Sequence, residues 1–334
     1  MKALLWADLH GHNFREFSTI ENGVNTRLKD CADVVGQILL SAKKEKVDEV
    51  WFVGDLYHLK NNLDNKVIQT IMYEMRNLAD NFRMYIVPGN HDYRAWSAEP
   101  ILLEILEEMP GKFVLCESGW LKHSYEGGIY IEPFTRKIKE LKERIARLET
   151  NPERDIFFGH QDVIGTRYGG FVVEHGLDAD VLSKKFKWSF VGHWHVWSEV
   201  RENVISIGAP LQHNFGDSSQ SKGWWIFDSE EGERKFVANH FSPRFYDFKI
   251  NPKTTELPGD PLRDFYRIKT QGELPEFLNK LRWKRISRVV EGETKKRTTI
   301  SFSDKKEDII AKYVEARGGN LDHKRLVEIG RKYL

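Results

Sequence analysis

Met84-Tyr85-Ile86-Val87-Pro88-Gly89-Asn90-His91-Asp92 is the stretch from which the fold can be read. A short apolar run, long enough for a buried strand, stops at Pro-Gly and opens directly into three polar side chains. Four other places repeat the design. Ala3–Ala7 runs into Asp8-Leu9-His10, and Val50–Val53 runs into Gly54-Asp55. Ile156–Phe158 runs into Gly159-His160, and Trp188–Val191 runs into Gly192-His193-Trp194-His195. Helical spacing separates the early runs. Leu28, Cys31, Val34, Val35, Ile38, Leu39 and Ala42 mark a helix over 26–43, and Val67, Ile68, Ile71, Met72, Met75 and Leu78 mark a second. Further helices are expected over 99–109 and 136–149. From 196 to 250 the pattern turns strand-rich. Strand and helix alternate, so the fold class is α/β in layers, with a mixed sheet or sandwich formed by the later strands.

In such sheets, sites form outside the carboxyl ends of the strands. Six of the 12 histidines lie in the five motifs or just after Gly54-Asp55. The candidate metal ligands are Asp8, His10, Asp55, Asn90, His160, His193 and His195. Asp8 and His10, like His193 and His195, are two residues apart, which on a strand puts both on one face. The set offers carboxylate, imidazole and amide oxygen without thiolate. That mixture suits Mn, Fe, Zn or Co and is too nitrogen-rich for Ca or Mg alone; two divalent ions are expected, Mn²⁺ first, with Fe, Zn, Co or Mg as alternatives. Seven ligands exceed one tetrahedral ion and fit two if a carboxylate is shared. We assign the shared position to Asp55, with Asp8, His10 and His195 completing one ion and Asn90, His160 and His193 the other. Two ions at such spacing neutralise phosphate oxygens during an in-line displacement. His91 follows a ligand without being needed as one, and its near-neutral titration suits protonation of a leaving oxygen. Asp92 is read as orienting His91 or capping a following helix. His12, His123, His175, His240 and His323 read as surface or packed histidines, His12 being the nearest to the site in sequence.

This ordered set of motifs resembles that of the calcineurin-like metallophosphoesterases over about residues 1–245. The resemblance implies a β-sandwich flanked by helices and built around a two-metal site. Within that superfamily, Gly54-Asp55-Leu56-Tyr57-His58, the Ile207–Asp217 stretch and Lys222-Gly223-Trp224 are similar to the SbcD type of DNA-repair nuclease, the short phage versions especially. That likeness implies a 3′→5′ exonuclease and endonuclease on DNA ends, with His58 positioning the phosphate. It also implies a small α+β capping domain, and C-terminal helices that bind an SbcC-type ABC ATPase. The expected organisation is a nuclease domain at 1–245, a capping and DNA-binding domain at 246–302, and a helical ATPase-binding segment at 303–334. Gly208-Ala209-Pro210 departs from the more usual Gly-Ser-Pro, and residues 246–334 agree in layout and charge without a sharp motif.

The 334 residues carry a formal net charge of +1, which by itself points to no nucleic acid. The total hides a division: residues 246–334 hold 21 basic and 14 acidic side chains, against 30 and 36 in residues 1–245. Lys280, Arg282, Lys284, Arg285, Arg288, Lys295, Lys296 and Arg297 cluster around Trp283, the pattern of a phosphate-gripping surface with a stacking ring. The competing reading is a solvated charged face. After the Pro- and Gly-rich stretch 251–262, a strand at Phe265–Ile268, a helix at about 274–282, and strands at Ile286–Val290 and Thr298–Phe302 are expected. Helices at 305–316 and 322–333 follow, joined by Gly318-Gly319. Their apolar sides can pack at home, on a second copy in a homodimer, or on a partner. No apolar run approaches the length of a membrane span, and Cys31 and Cys116 form no metal or disulfide motif, so a reducing cytoplasm is expected. A protein phosphatase is disfavoured because positions 58–59 are His-Leu and position 92 is Asp. A small-molecule or cyclic-nucleotide phosphodiesterase leaves the basic tail unexplained. A non-catalytic scaffold leaves a full ligand set unexplained.

Overall fold

The computed structural model describes residues 1–93, 103, 106, 113–168, 170–251, 253–270, 274–288, 306–317 and 322–331. It forms two compact units, Met1–Ser287 and Arg288–Leu334. The expected helix at 99–109, apart from the helical and buried Leu103 and Leu106, the strand at Thr298–Phe302 and the Gly318-Gly319 joint lie outside the described residues.

Two six-stranded sheets make the body of the first unit. One has the order β16 (Glu233–Ala238), β15 (Gly223–Asp228), β1 (Lys2–Trp6), β4 (Glu49–Phe52), β5 (Arg83–Ile86) and β6 (Phe113–Leu115). The other has the order β13 (Ser198–Arg201), β14 (Val204–Ser206), β12 (Trp188–Gly192), β9 (Ile156–His160), β8 (Ile129–Glu132) and β7 (Gly119–Leu121). The centres are parallel: β1, β4, β5 and β6 in the first sheet, β8, β9, β12 and β14 in the second. Antiparallel strands, β15 and β16 on one sheet and β7 and β13 on the other, complete the edges.

Side-chain alternation explains why these strands read as continuous apolar runs. Leu5, Trp51, Val53 and Tyr85 point inward between the sheets, where they meet Ile131, Ile156, Phe158 and Phe190. Trp51 lies between Phe158, with ring centroids 4.0 Å apart, and Tyr85, at 4.4 Å. The alternate residues Leu4, Trp6, Phe52 and Ile86 face helices α1 (Thr26–Glu45) and α2 (Asn65–Asn81). Phe157, Val191 and Val204 face α3 (Ile138–Arg147) and α4 (Ala179–Lys185) on the far side. Both faces of each sheet are therefore buried, which removes the polar half of the usual strand pattern. The result is a β-sandwich flanked by helices, as expected. Asn25 caps α1 by accepting the N–H groups of Arg27 and Leu28, which starts the helix beside the site.

Two short hairpins decorate this body, β2 (Ile20–Glu21) with β3 (Val24–Asn25) and β10 (Arg167–Tyr168) with β11 (Phe171–Val172). A small sheet of β17 (Phe245–Ile250), β18 (Phe265–Thr270) and β19 (Trp283–Arg288) belongs to the same compact unit, apart from the last residue of β19. Its own core is Ile250, Tyr266, Ile268, Leu278 and Leu281. The α-helix expected at 274–282 is instead a single 3₁₀ turn, Glu276–Lys280, begun at Pro275 and closed by the Leu281 N–H on Leu278. Only Leu278 of the turn is buried, so no apolar face sustains a longer helix. In the second unit, α5 (Lys306–Arg317) and α6 (His323–Arg331) pack on each other.

Candidate metal centre

Parallel pairing brings the carboxyl ends of β1, β4, β5, β9 and β12 to one edge of the sandwich. All seven candidate ligands gather there. Asp8, His10 and His195 form one cluster, and Asp55, His160 and His193 form another; within each, the ligand atoms lie within 4.8 Å of one another. Asn90 joins the second, its Oδ1 2.8 Å from His193 Nδ1 and 3.2 Å from His160 Nε2. Asp55 stands between the two, its Oδ2 3.5 Å from both His10 Nε2 and His160 Nε2.

The pairs two residues apart do not reach the site as strand neighbours. β1 ends at Trp6, and Asp8 and His10 lie beyond it with φ of +56° and +48°. Asp55 (+63°) and His193 (+106°) are also in the left-handed region. Non-glycine residues adopt it at a cost, so neighbouring bonds must hold them there. Asp8 N–H donates to Gly54 O at 2.8 Å, and His10 N–H to Asp55 O at 3.0 Å. The His193 N–H returns to the Asp8 carboxylate at 3.1 Å. Gly54, at φ +89°, lies so close to His160 and Gly89 that a Cβ would stand 2.2 Å from His160 Nδ1.

The start of the following helix that it was expected to cap lies outside the described residues, and among them Asp92 does not orient His91. Its oxygens accept the N–H groups of Asp55, Leu56 and Gly89 at 2.7 to 2.9 Å, binding two site loops together. His91 is oriented by the backbone instead: its Nδ1–H donates to His58 O at 2.6 Å, and its own N–H donates to Asp55 Oδ1 at 2.7 Å. The His58 and His91 rings lie nearly parallel, 5.8 Å apart, beside His10. His12 adjoins His58 at 5.3 Å.

Other partners were not legible from local motifs. Asp162 lies 3.3 Å from His193 Nε2 and accepts Trp194 Nε1–H at 2.9 Å. His213 Nε2–H donates to Asp8 O at 3.1 Å. Lys222 Nζ donates to His195 O at 2.5 Å and forms a buried pair with Asp217 at 2.9 Å. For Asp162, the polar residue two past a ligand at the same strand end was the available signal.

The electrostatics favour cations. Burial holds His10 well below its ordinary titration and His195 at about 4, so both rings are neutral ligands at pH 7. Their Nε2 atoms face each other at 3.0 Å. Burial works against the charge on Asp55, but His160 and His10 outweigh it and hold the carboxyl below the usual range. His160 is likewise opposed by burial, and Asp55 nevertheless lifts it to about 9. A metal binding there displaces that proton. Burial pushes Asp8 up to about 6, with His160 opposing and Asp55 adding to the rise. Imidazoles converging on a carboxylate, with no thiolate, fit divalent transition metals.

The sequence matches the calcineurin-like phosphoesterase family over residues 1–197. The chain belongs to that family. It is 24% identical over 211 residues to exonuclease subunit 1 of Enterobacteria phage T4, covering 62% of this chain and 61% of that protein. Solved structures similar to this phosphoesterase include a dimetal phosphatase from Danio rerio, at 11% identity and a TM-score of 0.39, covering 68% of this chain and 91% of the other. The calcineurin-like phosphoesterase YfkN from Bacillus subtilis is similar at 11% identity and a TM-score of 0.36, covering 71% and 88%.

The basic candidates are less free than their sequence suggests. Arg282 lies over the Trp283 ring at 4.8 Å and pairs with Glu21 at 2.6 Å, and Arg285 pairs with Glu16. Lys284 Nζ donates to Leu281 O at 3.2 Å. Lys280 is exposed. The Arg288 side chain and Lys295, Lys296 and Arg297 lie outside the described residues. No described helix is long and apolar enough to cross a membrane.

Proposed function

We propose that this phosphoesterase is a metal-dependent DNA nuclease, a 3′→5′ exonuclease and endonuclease on DNA ends, working with an SbcC-type ABC ATPase in repair or recombination. The observation that carries the chemistry is Asp55 Oδ2 standing equidistant between two ligand clusters. The 24% identity to a phage exonuclease subunit supports a nucleic acid as the substrate. Asp8, His10 and His195 would hold one divalent ion, and Asn90, His160 and His193 the other, with Asp55 shared and Mn²⁺ the best fit. When bound, such ions supply Lewis acidity toward phosphate oxygens and lower the pKa of water.

The chain's own residues complete the reaction. The His91 ring is fixed by its Nδ1–H on the His58 carbonyl, which leaves Nε2 as the atom that carries the transferable proton. Burial lowers His91, with Asp55 and the His58 carbonyl opposing. A phosphate beside Nε2 would raise it by charge attraction, so the proton stands ready for the leaving 3′ oxygen. His58, held at about 4 by burial and by its histidine neighbours, stays neutral and orients the phosphate by hydrogen bonding. Lys280, with the partly engaged Arg282, Lys284 and Arg285, would hold the backbone of the DNA, and Arg288, Lys295, Lys296 and Arg297 extend that proposal. The α5–α6 pair is the proposed ATPase contact.

The test uses an end-labelled duplex and a single strand with Mn²⁺, each with and without the ATPase. Shortening from the 3′ end is the expected result. DNA left intact under every condition, with a generic phosphodiester hydrolysed, would select the small-molecule phosphodiesterase reading.

A further inference from the structure

Lys222 makes three hydrogen bonds with its buried ammonium group, to His195 O at 2.5 Å, Asp217 Oδ1 at 2.9 Å and Gln220 Oε1 at 2.8 Å. All three donors of the ammonium are therefore used. The other Asp217 oxygen accepts the His213 N–H at 2.9 Å. His213 then reaches the site: Nε2–H donates to Asp8 O at 3.1 Å, and its ring packs on His195 at 4.9 Å and His10 at 5.4 Å. Lys222 and Asp217 are 3% and 0% exposed, so water has little access to their ion pair.

The chain of contacts is one-sided. It touches Asp8, His10 and His195, the whole of one ligand cluster. The other cluster has separate anchors, His160 Nδ1 on Val53 O and His193 on Asp162. Two of the anchored atoms are backbone carbonyls of ligands, and one of those ligands, Asp8, sits at positive φ. Holding its carbonyl fixes the direction of its carboxylate. A buried ion pair is weak evidence for stability by itself, and this one ends on metal ligands.

We propose that Lys222, acting through Asp217 and His213, is a positioning residue for one of the two metal positions, the one formed by Asp8, His10 and His195. This rests on the two-metal reading above. Groups that orient ligands typically change metal affinity by about 10–100-fold when removed.

The test is Mn²⁺ titration of the metal-free full chain by calorimetry, with thermal melting of the metal-free protein alongside. The double variant Lys222→Met/Asp217→Asn removes both charges and so avoids stranding one. We expect it to bind one Mn²⁺ as tightly as the wild type and the second at least about tenfold more weakly. His213→Leu, which leaves the ion pair intact, should do the same, and His213→Gln, whose amide can still donate to Asp8 O, should restore the second site. Two wild-type affinities in the variants would overturn the inference alone. Equal weakening of both sites would overturn it as well, since that marks general loosening of the fold. A wild-type chain that binds no Mn²⁺ would overturn the two-metal reading and this inference together.

Discussion

The Asp92 carboxylate accepts the backbone N–H of Asp55 at 2.8 Å, and thereby holds the proposed shared ligand from behind. The same oxygen, Oδ2, takes the Gly89 N–H at 2.7 Å, and Oδ1 takes the Leu56 N–H at 2.9 Å. Three buried donors therefore depend on one side chain. Asparagine has nearly the same shape but only one acceptor atom. In Asp92→Asn, an amide NH₂ must face either the Leu56 N–H or the Asp55 and Gly89 pair. Leaving buried donors unmet costs about 1–3 kcal/mol. We expect that loss in a denaturant titration, together with weaker Mn²⁺ binding, because Asp55 and Asn90 both hang on the loops that Asp92 joins. Wild-type stability in Asp92→Asn would show that the amides find other partners.

Gly54 gives a sharper test of the packing. Its φ of +89° already disfavours a side chain, and an added Cβ would lie 2.2 Å from His160 Nδ1 and 2.7 Å from Gly89 Cα. Backbone and a buried ligand ring both block it, so relaxation must displace the site itself. Gly54→Ala should lose more than about 3 kcal/mol of stability or fail to accumulate as folded protein. By contrast, Gly36→Ala, on α1 with nothing within 4 Å of the added carbon, should fold normally and serve as the control. Equal stability of the two variants in urea would contradict the close approach of the β4 and β9 ends.

The strand-end cluster was legible because each signal is local: an apolar run, a turn residue, then a side chain able to coordinate. The two clusters also follow from motif order once the strands are parallel. Long-range partners were not legible. Asp217 and His213 matter to Asp8, about 200 positions away, and no periodicity links them. Backbone conformation was hidden too. The two-residue spacing of Asp8 and His10 suggested a strand, whereas positive φ at both residues does the work after the strand has ended. On the basic surface, the sequence displayed Arg282 and Arg285 but not Glu21 and Glu16, which come from a segment distant in sequence to pair with them.

Asp30 sets a pH dependence that is independent of the metal centre. Burial lifts its carboxyl from the ordinary 3.8 to about 6, with Arg27 partly opposing. The folded state thus binds this proton more tightly than the unfolded state. Its effect on stability is nil below about 4, and stability falls as pH rises from about 4 to 6, where the folded protein must accept the buried charge. Above that the cost is constant, about 1–2 kcal/mol after allowing for partial exposure. Asp30→Asn should therefore stabilise the protein by that amount at pH 7.5 and by almost nothing at pH 4. Unfolding free energies of the two proteins at both pH values provide the check. A gain of the same size at each pH would assign the effect to packing, not to charge.

His91 allows metal binding and proton transfer to be separated. Its Nδ1 is committed to the His58 carbonyl, and although its ring groups with those of His10 and His58, it belongs to neither of the two clusters flanking Asp55. Removing the ring should leave both Mn²⁺ affinities within about threefold of the wild type. It should also lower phosphodiester hydrolysis by roughly 10²–10⁴-fold, the usual worth of a positioned acid. Asp55→Ala should behave differently, losing the shared ligand and hence both metal binding and hydrolysis. The acid role makes a further demand on the substrate. A phosphodiester whose leaving group is p-nitrophenolate needs no proton to depart, so His91→Ala should hydrolyse it far better, relative to wild type, than it hydrolyses DNA. Equal losses on both substrates, with metals bound, would assign His91 to binding or orientation instead of proton donation.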